Sequence, residues 1–97
     1  MATYILLGQF TEQGIKNVKD TTKRAQALKD LAKKFNATIT GLYWTLGQFD
    51  VAAIIDAPDD VSVNGLLLSL GTQGNVRTQT LRAFSADEMG QILGRLG

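Results

Sequence analysis

The chain has no cysteine and no histidine among its 97 residues, and a single proline. The first absence excludes disulfides and thiolate nucleophiles, and the second removes imidazole acid–base chemistry. Together they take away zinc sites of the usual type. Any catalyst built on this chain must rely on carboxylate, tyrosine, arginine or lysine. Long apolar runs are also missing. Stretches such as Ala52-Ala53-Ile54-Ile55 and Leu66-Leu67-Leu68 are far shorter than the roughly 18 to 20 residues of a membrane span. No basic-then-apolar leader follows Met1, so a soluble, cytoplasmic protein without membrane contact is expected. Charge of one sign is scarce too: the net charge is +1, and the overall field gives no strong pull toward nucleic acid. The balance is uneven, since seven of the ten basic residues lie between Lys16 and Lys34.

The residues that are present fall into strand and helix periods. Thr3 to Phe10 sets Tyr4, Leu6, Gly8 and Phe10 on one side and Ile5, Leu7 and Gln9 on the other, which predicts a central strand with two apolar faces. Thr11 is an N-cap for a long helix carrying Ile15, Val18, Ala25, Leu28, Leu31, Ala32 and Phe35 at helical spacing, with a break near Asp20-Thr21-Thr22. Asn36 can end it in a left-handed conformation. Thr38 to Leu46 then reads as a second strand, and Gly47-Gln48 as a tight turn into a third over Phe49 to Ala57. Pro58 stops that strand, and Asp59-Asp60 offers an N-cap to a helix from about Val61 to Leu70, with Gly71 as its stop. Asn75 to Phe84 is a fourth strand. Ser85-Ala86-Asp87-Glu88 matches a capping box opening a terminal helix whose buried face would be Met89, Ile92, Leu93 and Leu96. This order is one α+β domain over residues 1–97: ferredoxin-like βαββαβ, a four-stranded antiparallel sheet, plus a short C-terminal helix.

Such a sheet carries its helices on one face and leaves the other to water. Strands one and three are apolar on both sides, and each large side chain left in water forgoes roughly 1.5 to 3 kcal/mol of burial. Packing two sheets from two copies is the simplest remedy, because most oligomers are symmetric. The alternative is that the C-terminal helix folds back over the open face.

The segments Phe10-Thr11-Glu12-Gln13-Gly14-Ile15-Lys16-Asn17, Gly47-Gln48-Phe49-Asp50, Ala57-Pro58-Asp59-Asp60 and Gly74-Asn75-Val76-Arg77-Thr78, with Thr3-Tyr4-Ile5, resemble the GYD domain family of small bacterial proteins. Its Gly-x-Tyr-Asp signature stands here as Gly47, Gln48, Phe49 and Asp50, with the ring kept and the phenol hydroxyl lost. The family is similar to the dimeric α/β barrel group. The resemblance therefore implies paired sheets and brings no reaction with it.

Six residues on the strands are candidates for a ligand site: Tyr43, Trp44, Asp50, Arg77, Thr78 and Arg82. Asp50 is the one candidate general base, and its structural role would be to accept backbone N–H bonds of the turn. Arg77 and Arg82 are forked donors for an anionic ligand, or ion-pair partners of Asp50 or Asp56. Trp44 is a packing residue or a stacking surface for a ligand. The Gly71 to Asn75 connection lacks the Gly-Lys-Ser/Thr ending of a phosphate loop. Asp59-Asp60 is explained by capping without a metal, and the lysines of the first helix by a solvated face.

The leading expectation is a homo-oligomeric binding or assembly module, at least a dimer, able to hold a small anionic molecule between sheet and helices without cofactor or metal. The rival is a cofactor-independent enzyme of the dimeric α/β barrel type, monooxygenase- or isomerase-like, with Asp50 as base and Arg77 or Trp44 positioning substrate. Nucleic-acid binding through the basic helix is the third and least supported.

Overall fold

The computed structural model describes residues 1–97. The sheet holds β1 (Ala2–Phe10), β2 (Thr38–Trp44), β3 (Val51–Ala57) and β4 (Val76–Ala83) in the order β2-β3-β1-β4, with every neighbouring pair antiparallel. That is the ferredoxin-like order, as expected. β1 sits at the centre, with Leu6 opposite Ala53 on one side and Thr80 on the other. A register shift between Ile39 and Gly41 puts a bulge in edge strand β2.

Four helices accompany the sheet: α1 (Glu12–Lys16), α2 (Thr21–Lys33), α3 (Asp60–Thr72) and α4 (Ala86–Gly94). Helices α2 and α3 cover one face. Tyr4, Leu6, Ala53, Ile55 and Ala57 from the sheet meet Leu28 and Ala32 of α2 and Val63 and Leu66 of α3 in a single core. Gly65 helps to close it, because a Cβ there would lie 2.7 Å from the Phe35 ring. The three N-caps read from sequence are formed: Thr11 accepts from the Gly14 N–H at 3.0 Å, Asp59 accepts from the Ser62 N–H at 2.8 Å, and Ser85 and Glu88 make the reciprocal capping box. Asn36 takes the left-handed conformation, at φ 57°.

Several boundaries differ from expectation. The first helix breaks as expected near Asp20 and Thr21, where α2 begins, but the break opens three residues earlier, at Asn17, through a single 3-10 turn over Val18–Asp20. Asn17 closes α1 by donating from its backbone N–H and its side-chain amide to the Gln13 carbonyl. The break turns Ile15 and Val18 out of line with the buried face of α2, and both are exposed. Strands β2 and β3 are shorter than expected, since Thr45 to Asp50 form a loop closed by Thr45 N–H to Asp50 O at 2.8 Å and Thr45 Oγ1–H to Phe49 O at 2.6 Å. Helix α3 runs through Gly71 to Thr72, and Gly74 supplies the positive φ, 79°, that follows it.

The largest departure is at the C-terminus. The spacing of Met89, Ile92, Leu93 and Leu96 predicts a buried face, yet they are 45, 38, 54 and 74 % exposed. Helix α4 does not fold over the open face. It projects from the end of β4, and the molecule measures 52 × 30 × 18 Å.

The tightest glycine in the fold is Gly14, where a Cβ would stand 2.0 Å from the Asn75 carbonyl oxygen. That oxygen accepts the Thr11 N–H at 3.1 Å, so it cannot retreat without breaking the junction of β1 and α1. Gly14→Ala is expected to destabilise the fold by about 3 kcal/mol. Gly71→Ala, in a helical position with open space around it, should stabilise by about 0.5–1 kcal/mol. Urea unfolding of the two variants checks the contrast.

Candidate functional site

A hollow lies between the sheet and helix α2, at the end where the β2–β3 loop meets the start of α2. Its floor is Leu6, Gly8 and Val51, and its walls include Leu28, Leu70 and Trp44. The cavity volume is about 60 Å³, and it opens to solvent. The register explains why room exists there. Gly8 of the central strand faces the helices between Val51 and Thr78 and contributes no side chain. The Trp44 indole closes one side by donating from Nε1–H to Thr21 Oγ1 at 3.0 Å.

Arg24 is the one charged residue in the lining. Its guanidinium donates through Nη1 to the Asn17 carbonyl at 2.8 Å and through Nη2 to the Gly14 carbonyl at 3.3 Å, so it caps the end of α1. No carboxylate pairs with it, since the ion pairs of the chain are Lys16–Glu12 and Arg82–Glu88. Two of the five donors of an arginine are engaged by these carbonyls. An apolar hollow with an unneutralised guanidinium at its margin suits a small molecule with a negative end.

The six residues chosen from sequence do not converge. Trp44 lines the hollow, whereas Tyr43, one residue away, lies on the opposite face of the sheet and is exposed. Thr78 faces the helices opposite Gly8, and Arg77 alternates to the open face opposite Gln9. Asp50 sits at the end of the hairpin loop. Its Oδ2 accepts the Phe10 N–H at 2.9 Å, and its own N–H donates to the Gly8 carbonyl at 2.8 Å. The carboxylate therefore ties the loop to β1 and does not bind the turn's own amides. Neither arginine of β4 pairs with Asp50 or Asp56. Arg82 donates to Glu88 Oε2 at 3.3 Å and to the carbonyls of Thr3 and Ala83, and lies 4.7 Å over the Phe84 ring.

Arg82 borders a second, shallower hollow with Tyr4, Asp60, Val61, Thr80 and others. Tyr4 donates its hydroxyl to Asp60 Oδ1. That hydrogen bond to the carboxylate, with burial and the charge of Asp60 behind it, raises the Tyr4 pKa above its ordinary value. Two participants in the first hollow, Arg24 and Gly8, escape sequence reasoning. A signal for Arg24 exists: it is the one arginine among the lysines of α2, at Lys23, Lys29 and Lys33, and arginine is the residue whose planar fork binds several oxygens at once.

The GYD domain profile matches residues 4–93. The chain belongs to the GYD domain family. A relative from Thermus thermophilus, named glutamine synthetase and cystathionine beta-lyase binding protein, is 28% identical over 90 residues, 92% of this chain and 95% of that protein. The crystal structure of TTHA0845 from the same organism superposes with a TM-score of 0.56 at 24% identity, covering 89% of this chain and 96% of that one. The structural likeness supports this GYD domain's fold. In the GYD signature, Gly47 takes φ 113° in the hairpin loop and Asp50 anchors the loop to β1. No helix of this GYD domain is long and apolar enough to cross a membrane.

The Tyr4–Asp60 pair gives a pH prediction. Because the folded pKa is raised, the folded form holds its proton where the unfolded chain releases it, and stability falls as pH rises above the unfolded value of about 10. Urea midpoints measured between about pH 8 and pH 11.5 should fall above roughly pH 10 in the natural protein, and Tyr4→Phe should flatten that fall.

Proposed function

We propose that this GYD domain is a homo-oligomeric binding module in which the open faces of two sheets pack together, as in dimeric α/β barrels, while the hollow beside α2 holds a small anionic molecule. One observation carries the reading: the face of the sheet away from α2 and α3 has an apolar centre, bordered by Thr3, Gln9, Asp56, Arg77 and Gln79, and nothing in the chain covers it. Ile5 and Leu7 of β1, Ala52 and Ile54 of β3 and Leu81 of β4 stand on it together. Ile54 on inner strand β3 and Leu81 on edge strand β4 are 40 % and 42 % exposed, on a face where a one-sided fold would place polar side chains. Contiguous apolar surface of this kind marks an interaction site.

The name of the Thermus relative supports binding over turnover, since it describes a protein that binds two enzymes. Asp50, the candidate base of the enzyme reading, is engaged by the Phe10 N–H and does not line the hollow. Trp44 and Arg24 do line it, and they offer what a bound anion with an apolar body needs: an aromatic wall and a fork of donors.

Native mass spectrometry of the purified protein tests both parts. The natural chain is expected at two or more copies. Ile54→Asp should bring the protein to monomer with its circular dichroism intact, because two copies would each bury a carboxylate against apolar side chains at a cost of several kcal/mol. A retained small mass that is lost in Trp44→Ala at unchanged subunit count identifies the hollow as its site. A natural chain that stays monomeric at about 50 µM, where a dimer with a dissociation constant of about 1 µM would be mostly formed, refutes the paired sheets.

A further inference from the structure

Helix α4 has no place to sit within its own chain, and the cause lies at its root. The capping box fixes the first turn, with Ser85 N–H donating to Glu88 Oε1 at 3.0 Å and Glu88 N–H to Ser85 Oγ at 3.1 Å. Arg82, near the end of β4, holds the same Glu88 by an ion pair and stacks over Phe84. Strand end, linker and helix start are thus joined by side chains that set the direction in which α4 leaves the sheet. That direction is outward, and no strand or other helix packs along it. Yet Met89, Ile92 and Leu93 recur at three- and four-residue intervals, so they form one stripe along α4, and the turn that follows Gly94 brings Leu96 in behind them. A solvated helix gains nothing from such a stripe.

The open sheet face is the complementary surface on the same chain, and by itself it is too small. Four strands of about seven residues give a footprint of roughly 450 Å², while a stable dimer buries about 800 Å² on each partner. The nine residues of α4 present a stripe of roughly 140 Å². In a symmetric pair each copy both gives and receives one, which brings the interface into the stable range.

We infer that α4 is an exchanged arm: its stripe lies on a second copy of this chain, continuing the interface made by the open sheet faces, and that copy's α4 returns the contact. The inference rests on the paired-sheet reading above. It assigns to Arg82 and Glu88 the task of aiming the arm, and to Met89, Ile92, Leu93 and Leu96 the task of holding the other copy.

The test uses the full chain. A photoreactive benzophenone side chain replaces Leu93, and equal amounts of ¹⁵N-labelled and unlabelled chains are unfolded together, refolded and irradiated. Adducts joining a labelled to an unlabelled chain, with residue 93 attached to peptides of the open face or its rim, are expected. The double variant Ile92→Asp, Leu93→Asp should raise the dimer dissociation constant at least ~50-fold, the loss expected for two apolar anchors, with the sheet signal of circular dichroism unchanged. An oligomer that persists while adducts are absent or confined to one chain overturns the exchanged arm and leaves the paired sheets standing. A natural chain that is monomeric removes both.

Discussion

Central strand β1 has to satisfy three neighbours at once, and the rest of the molecule follows from how it does so. Its backbone bonds are divided between β3 and β4, which leaves its side chains to face up and down. Tyr4 and Leu6 point to α2 and α3 and enter the core, while Ile5 and Leu7 point the other way. Two covering helices can bury only one of these faces. The core they make is correspondingly small, ten residues with Ile55 and Leu66 as its largest fully enclosed side chains. With so few side chains fully enclosed, an interface that buries the second face would contribute to the fold as well as to assembly.

The signature residues of the family serve the same strand. Gly47 and Asp50 shape the loop between β2 and β3, and Asp50 fastens it to the end of β1 through Phe10 and Gly8. The loop in turn holds Trp44 where its indole reaches Thr21 at the start of α2. The hollow beside α2 is therefore bounded by the motif without containing its carboxylate. In this chain the motif closes a hairpin, and the charged residue that lines the hollow beside it is Arg24.

The succession of strands and helices, the helix caps at Asp59 and Ser85 and the left-handed Asn36 are all legible in the sequence, because each depends on neighbours within a few residues. The two-faced character of β1 and β3 is legible for the same reason, since alternation is a local pattern. Reading fails where a distant partner decides. The early opening of the helix break, at Asn17, goes with Arg24, seven residues on, and with the backbone of Asn75 pressed against Gly14. The stripe of α4 is visibly apolar, but periodicity states that a face needs burying and not which chain buries it. Polar groups on strands are natural candidates for a site, and strand parity then separates Tyr43 from Trp44 and Arg77 from Thr78.

The bulge in β2 has a consequence beyond local geometry. An edge strand with a regular ladder is a template on which further strands can add without limit, and a bulge spoils that template by bending the strand and interrupting its row of free amides. Here the interruption falls between Ile39 and Gly41, midway along the edge. Growth sideways from this edge is hindered, whereas a symmetric pairing through the apolar face would close on itself after two copies. The β2 edge is thus guarded against strand addition while the face of the same sheet stays sticky.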